Sequence, residues 1–271
     1  MIMTDCRRSN DKKRIGKIVA LTRLGEKRAA EVRALEAKCR EHDGTEAIAE
    51  LDNELNYSRR LRSFFLLYGK EGLEGFLNVF CPDGVCAEIT AFTAPEFRRH
   101  GIFNALVSAA REELEKNGIE NILFAAEPVS KEAATVAKRL GVNLKYSELL
   151  MGLEDGRKYG ASDAVVCKEI TDIDGYEVGD REFVFTSEGA EFGYACAYVS
   201  GKTAFIHHVE VYEEYRGRGL GKALMNELIA VLKKEDSKRE IKLQVTSTNL
   251  PAVHIYRELG FEIKSQRDYY S

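Results

Sequence analysis

Residues 205–224 read FIHHVEVYEEYRGRGLGKAL, and this stretch decides what kind of fold the chain adopts. Phe205, His207, Val209 and Val211 alternate with Ile206, His208, Glu210 and Tyr212, the period of two that a strand requires. Arg216-Gly217-Arg218-Gly219-Leu220-Gly221 then leads into an amphipathic helix over 222–234, with Leu224, Leu228 and Leu232 at helical spacing. Three glycines between strand and helix let backbone N–H groups point outward with no side chain in the way. A helix N-terminus adds partial positive charge, and Arg216, Arg218 and Lys222 add full charges. Such a turn is a pocket for a pyrophosphate.

Glycine-rich phosphate loops come in several kinds. A dinucleotide fingerprint needs a glycine where Lys222 stands. A Walker loop needs glycine at Arg216 and Ser or Thr at Ala223. The plainest alternative is a strand–helix turn with a solvated basic rim. The pattern Arg-Gly-x-Gly-x-Gly-x-Ala-Leu after a strand instead resembles motif A of the GNAT superfamily of N-acetyltransferases, which bind acetyl-coenzyme A. A second cluster agrees with it. Residues 241–245, IKLQV, read as a strand, and Asn249, Ala252, Tyr256, Gly260 and Phe261 follow. Asn249 suits a helix N-cap, Pro251 the first turn and Gly260 the C-terminal stop. This spacing resembles GNAT motif B, whose tyrosine lies near the coenzyme sulfur. The tail, with Tyr269 and Tyr270, is weakly similar to peptide N-terminal acetyltransferases of the ribosomal-protein type.

The resemblance implies a division of labour. Backbone groups around Val209 and Val211 would hold the pantetheine arm and polarise the thioester carbonyl. Arg216, Gly217, Arg218, Gly219, Leu220, Gly221 and Lys222 would cradle the pyrophosphate, and Asn249 and Tyr256 would complete the coenzyme site. Tyr256 would also protonate the leaving thiolate; packed on the Gly260–Phe261 corner, it would be purely structural. His207 is the first choice for the general base, since an unperturbed imidazole pKa near ~6.5 suits proton acceptance at neutral pH. Glu210 is second, in the opposite strand phase, and a water relay stays open. Ribosomal-type acetyltransferases carry a glutamate where this chain has Gln244, which cannot take a proton, so their mechanism does not carry over. His208 reads as an ordinary strand histidine.

The 271 residues are 44% hydrophobic and 31% charged, enough for two cores. A net charge of −4 argues against general nucleic-acid binding. No stretch is apolar enough to span a bilayer, and the polar N-terminus has no signal-like apolar region. The six cysteines are scattered; they suit reduced thiols of a cytoplasmic protein and give no zinc spacing. No metal is expected.

The pattern also repeats. Placing Arg98 on Arg216 brings Gly101 onto Gly219, Ala105 onto Ala223 and Leu106 onto Leu224, and Leu140-Gly141 matches Leu259-Gly260. The expected fold is α/β (α+β): two tandem GNAT folds, each a mixed, mostly antiparallel twisted sheet flanked by helices. The expected divisions are a flexible tail over 1–12, a first domain over 13–151, a glycine-rich linker over 152–162 and a second domain over 163–271. The first domain should open with helices over 13–40 and 45–55; the second lacks both. The copies differ where chemistry is concerned. Phe103 stands at the place of Gly221, where it would crowd a pyrophosphate; Ala137 stands for Tyr256 and Ser130 for Asn249. The second copy is therefore expected to carry acetyl-CoA and transfer its acetyl group to a primary amine of a small molecule, amino acid or peptide. A non-catalytic acyl-CoA-binding protein and a user of another acyl-CoA are the alternatives. The acidic residues Asp172, Asp174, Glu177, Asp180 and Glu182 would suit a cationic acceptor. A homodimer stays open.

Overall fold

The computed structural model describes residues 16–154, 156, 157, 159, 160, 164–170 and 179–271. The expected tail over 1–12 lies outside them, as do Asp172, Asp174 and Glu177. The chain forms two compact units, one up to Lys145 together with Arg267–Ser271, the other Tyr146–Gln266.

The first unit contains β1 (Lys17–Leu21), α1 (Glu26–Asp43), β2 (Phe64–Gly69), β3 (Gly72–Phe80), β4 (Cys86–Thr93), α2 (Ile102–Lys116), β5 (Asn121–Ala126) and α3 (Lys131–Leu140). Strands β1 to β4 are antiparallel neighbours in sequence order, and β4 pairs parallel with β5. Asp268–Tyr270 closes the sheet against Phe124–Ala126. Alternation sends Phe65, Leu67, Leu77 and Val79 to one face, where they pack with Leu106, Ala110 and Leu114 of α2. Phe64, Leu66 and Phe76 go to the other, under Val32, Leu35 and Cys39 of α1.

Two expectations fail here. The expected helix over 13–40 is, among the described residues, a strand and a shorter helix. Ile18 and Val19 lie at spacings that suit either period, but they are β-branched, and Gly25 separates them from the true helix. Pairing with β2 fixes the choice, and Gly16 permits it, because a Cβ there would lie 1.9 Å from the Tyr68 carbonyl oxygen. The expected helix over 45–55 is absent. Gly44, at φ 66°, ends α1, and side-chain carboxylates take the amides a helix would use. Glu127 accepts from the Glu46 amide at 2.9 and 3.0 Å, and Glu36 accepts from that of Ala49. Buried Asn53 and Asn56 bond each other and Ser63.

The second unit takes β6 (Leu144–Leu153) from Tyr146 onward, β7 (Val166–Ile170), β8 (Asp180–Ser187), β9 (Ala190–Ser200), β10 (Thr203–Val211), α4 (Leu220–Glu235), β11 (Glu240–Thr246), α5 (Leu250–Leu259) and β12 (Phe261–Tyr270) as far as Gln266. The strand order is β12-β6-β11-β10-β9-β8-β7, with β10 and β11 parallel and β6 antiparallel to β11. Both helices share one core with Phe183, Phe185, Ala195 and Ala197.

Register makes the repeat exact enough to compare face by face. Gly75 pairs with Thr93 as Gly193 pairs with Val211. A Cβ on Gly75 would meet Leu106 Cδ1 at 3.0 Å, and one on Gly193 would meet Leu224 Cδ1 at 3.2 Å. Each glycine thus lets its helix seat on the sheet. The same registers set Phe64, Leu66, Phe76 and Asn78 against Glu182, Val184, Tyr194 and Cys196. The first copy's three apolar residues are fully buried, each contributing about 1.5–3 kcal/mol. No helix corresponding to α1 occurs among the described residues of the second copy, and its matching face carries Glu182 and Tyr194 where the first copy has two buried phenylalanines.

Candidate functional site

Strand β10 carries the first part of the site. Its pairing with β11 runs from Thr203↔Glu240 to Ile206↔Leu243 and stops, although both strands continue. Its pairing with β9 slips between His207 and Glu210, and His208 sits at φ 48°. This is a β-bulge with one extra residue. Ala204 and Ile206 point into the core before it, Val209 and Val211 pack against the core after it, and both histidines lie off that phase. The bulge corrects the expected placement of Glu210. His207 is opposite Cys196 and Glu210 opposite Tyr194, two residues apart on β9, so Glu210 shares a face with His207.

His207 is half-buried, with its Nδ1 2.6 Å from Nδ1 of His208 and its Nε2 3.7 Å from an Asp180 carboxylate oxygen. Burial lowers its pKa most, His208 lowers it further, and Asp180 opposes both. The ring is thereby kept neutral. Cys196, buried across the strand pair, has its thiol pKa raised by burial and by the charges of Glu182 and Asp180.

The basic loop carries the second part. A 3₁₀ turn, Glu213–Tyr215, hands the chain to Arg216, whose Nε donates to the Val211 carbonyl at 2.8 Å. Gly217 and Gly219 take φ 75° and 78°, where L side chains are strained. Gly219 is the N-cap of α4 and offers no capping side chain, leaving the first-turn amides to face outward. Gly221 answers a different need. A Cβ there would lie 3.2 Å from Ile255 Cδ1 and 3.7 Å from Val211 Cγ2, so β10, α4 and α5 converge on it. The cations are exposed: Arg216 lies 3.7 Å from Glu210, Lys222 lies 3.1 Å from Glu258, and Arg218 donates to the Glu214 carbonyl and lies over the Tyr215 ring.

The third part is α5. Asn249 caps it by accepting from the Ala252 amide at 3.3 Å. Gly260, at φ 96°, ends it. Tyr256 lies between, its ring buried and 5.9 Å from that of Phe261. Its hydroxyl has no hydrogen-bond partner among the described residues and reaches solvent. Burial raises its pKa, which holds the proton on the oxygen.

Other neighbours were not foreseen from sequence. Gln244 donates to Glu148, which β6 supplies from 96 residues away. In the sequence Asp180 stands out only as one of an acidic run, and Cys196 only as one scattered thiol. Among the described cysteines, all five are free.

The first copy keeps the loop backbone and changes its charge. Arg98 sits at φ −66°, ψ 157° where Arg216 has −65°, 159°, and its Nε donates to the Thr93 carbonyl at 3.1 Å. Arg99 takes φ 65° at the place of Gly217. The guanidinium of Arg98, however, is gripped at 2.7 Å by both carboxylate oxygens of Asp43. Phe103 is half-buried, with its ring 6.3 Å from that of Phe124. Strand β4 pairs with β3 without a slip, so the bulge has no counterpart.

Residues 167–261 match the model of the acetyltransferase (GNAT) family. An N-alpha-acetyltransferase of Sulfurisphaera tokodaii is 35% identical over 71 residues, 26% of this chain and 42% of that one. Streptothricin acetyltransferase of Streptomyces lavendulae is 33% identical over 91 residues, 32% of this chain and 48% of that one. The chain thus spans less than half the length of these two relatives. The ribosomal protein bS18-alanine N-acetyltransferase of Escherichia coli is 33% identical over 95 residues, 34% of this chain and 64% of that one. Among solved structures, a GCN5-related N-acetyltransferase from Sphaerobacter thermophilus superposes with a TM-score of 0.70 at 18% identity, covering 93% of this chain and 94% of that one. A tandem GNAT protein from the clavulanic acid biosynthesis pathway gives 0.63 at 18%, covering 94% and 97%. These likenesses establish the fold.

Proposed function

Since the chain belongs to the GNAT superfamily, with a tandem GNAT fold, we propose that its second copy moves the acetyl group of acetyl-CoA directly to a primary amine. The observation that carries this reading is the difference between the loops: both helices start uncapped on a glycine, but the Arg216 guanidinium is exposed beside that start, whereas Arg98 is taken by Asp43.

In this reading the pyrophosphate of the substrate rests on the amides from Gly217 to Lys222, with Arg216, Arg218 and Lys222 supplying charge. The amides of β10 beyond Ile206, released from β11, receive the pantetheine arm and polarise the thioester carbonyl. Asn249 supports this site by fixing the start of α5. His207, held neutral, accepts a proton from the attacking amine as the N–C bond forms. Glu210 lies on the same face and is the second acceptor. Collapse of the tetrahedral adduct breaks the C–S bond, and the Tyr256 hydroxyl gives its proton to the departing thiolate. Asp180 and Glu182 place negative charge beside His207 and Cys196, which suits a cationic amine among small-molecule, amino-acid or peptide acceptors.

The test is calorimetric titration of the full chain with acetyl-CoA, beside the Gly221→Phe variant, followed by thiol release across a panel of primary amines. One site per chain, lost in the variant, with amine-dependent thiol release, is the expected result. Two sites would overturn the asymmetry between copies. Absence of binding would overturn the transferase reading.

A further inference from the structure

The two histidines of β10 do more than the transfer reading uses. In a regular strand neighbouring side chains point to opposite faces. Here the bulge turns both rings to one side, and His208 occupies a left-handed conformation that costs about 1–2 kcal/mol outside glycine. A bulge that only frees backbone amides needs no histidine at its strained position. His208 is also exposed, so burial does not offset the strain. What the strain achieves is a cluster: Cys196 Sγ and a ring nitrogen from each histidine all lie within 4.8 Å of one another.

Those are ligands of the right kind, close enough together to reach one ion. Around a tetrahedral zinc ion, two imidazole nitrogens sit about 3.3 Å apart, and a nitrogen and a thiolate about 3.6 Å, from the usual bond lengths. The Nδ1 atoms of His207 and His208, at 2.6 Å, need only part slightly. Asp180 lies 3.7 Å from Nε2 of His207, the ring nitrogen that stays free when Nδ1 binds a metal, where a carboxylate orients a metal-bound imidazole. Cys196 is buried and His208 exposed, so three protein ligands would leave the fourth position toward solvent.

We propose that Cys196, His207 and His208 bind one Zn²⁺ ion, and that the bound ion stops acetyl transfer by occupying the proton-accepting histidine. Binding forms one Zn–S and two Zn–N bonds and releases the Cys196 thiol proton to solvent. The binding stands by itself; the inhibition rests on the transfer reading given above.

Two readouts separate these parts. The metal-stripped full chain is titrated with Zn²⁺ by calorimetry and with Co²⁺ by absorption spectroscopy, beside Cys196→Ser and His208→Ala. One ion per chain is expected, with a thiolate-to-cobalt charge-transfer band. Loss of an outer-shell partner typically weakens metal binding 10–100-fold, so loss of a ligand should weaken it at least about 100-fold. The band should vanish in Cys196→Ser, and this variant guards against misfolding of His208→Ala. No saturable binding, or binding undiminished in both variants, overturns the site. In the second readout, Zn²⁺ at saturation should abolish amine-dependent thiol release by the wild type, a chelator should restore it, and Cys196→Ser should be insensitive. Transfer that persists in the zinc-saturated wild type overturns the inhibition while leaving the site standing. Absence of transfer in the metal-free protein with every amine counts against the transfer reading and leaves the cobalt band to decide the site.

Discussion

Arg98 and Arg216 begin the same loop with the same backbone, and both tie their Nε to the end of the preceding strand. They part at the guanidinium tip. Arg98 is mostly buried and meets Asp43 in a two-pronged ion pair, while Arg216 is 59% exposed and meets the Glu210 carboxylate more loosely, at 3.7 Å. A two-pronged carboxylate offers what a phosphate offers an arginine, two acceptor oxygens in one plane. The first copy has in effect supplied its own anion, from a helix for which the second copy shows no counterpart among its described residues. Inheriting a loop conformation therefore differs from inheriting its chemistry. The backbone persists because strand, turn and helix must still connect; the charge is free to change partners.

Tyr256 offers the strongest way to break this comparison, because the first copy has Ala137 there. Tyr256→Phe keeps the ring and its contact with Phe261 but removes the unpartnered hydroxyl. Steady-state kinetics should show kcat lowered about 10²–10⁴-fold, the usual range for a general acid, with acetyl-CoA affinity nearly unchanged. An unchanged kcat would reduce Tyr256 to the packing role that the two copies could share.

The arginines give the next largest effect, in opposite currencies of measurement. Arg98→Ala should lower the melting temperature, since Asp43 would be left partly buried and unpaired at a cost of about 2–4 kcal/mol. Coenzyme binding should not change. Arg216→Ala should leave the melting temperature within about a degree, because an exposed ion pair contributes little. Its acetyl-CoA affinity should fall about 10-fold, the loss of one charge-assisted contact of about 1.5 kcal/mol. If both variants lost stability alone, the second loop would be no more a binding site than the first.

How much of this was readable in the sequence follows from distance along the chain. The loop, α4, the Asn249 cap and the Gly260 stop were legible because each is specified by residues within one turn of one another. The repeat was legible because glycines and leucines recur at fixed offsets. The bulge was not, since it exists only in the register between β9 and β10, and it moved Glu210 to the face of His207. The Asp43–Arg98 pair, 55 residues apart, and the Glu148–Gln244 pair, 96 apart, belong to the same class. Strand β1 failed for another reason: its short apolar run fits both periods, and only pairing with β2 decides.

A smaller effect lies at the second residue of the loop. Arg99 holds at φ 65° the conformation that Gly217 holds at 75° without a side-chain penalty. Arg99→Gly should therefore stabilise the first copy by about 0.5–1 kcal/mol, read as a shift in denaturant midpoint with unchanged slope. The reverse change, Gly217→Arg, should destabilise the second copy by a similar amount. Equal midpoints in both variants would mean that the two loops differ in backbone after all.

The smallest predicted effect concerns acid. Register sets Arg181 of β8 at the place of Ser63 just before β2. Ser63 belongs to a neutral amide network, whereas Arg181 bonds Glu169 and Glu235, joining β7, β8 and α4. The hydrogen bonds from Arg181, and secondarily Arg239, hold the Glu235 carboxyl down at about 2. An ordinary glutamate titrates near ~4.3, so the unfolded chain takes up this proton first as pH falls. The stabilisation is complete above the ordinary carboxylate range and is lost as pH drops toward about 2. Solvent screens this partly exposed pair, so the contribution is modest. Glu235→Gln should flatten the pH dependence of unfolding in that window for the second copy and leave the first copy's unchanged. Amide exchange resolves the two units separately. Equal flattening in both would show that they unfold as one, and that the ionic network serves the whole chain.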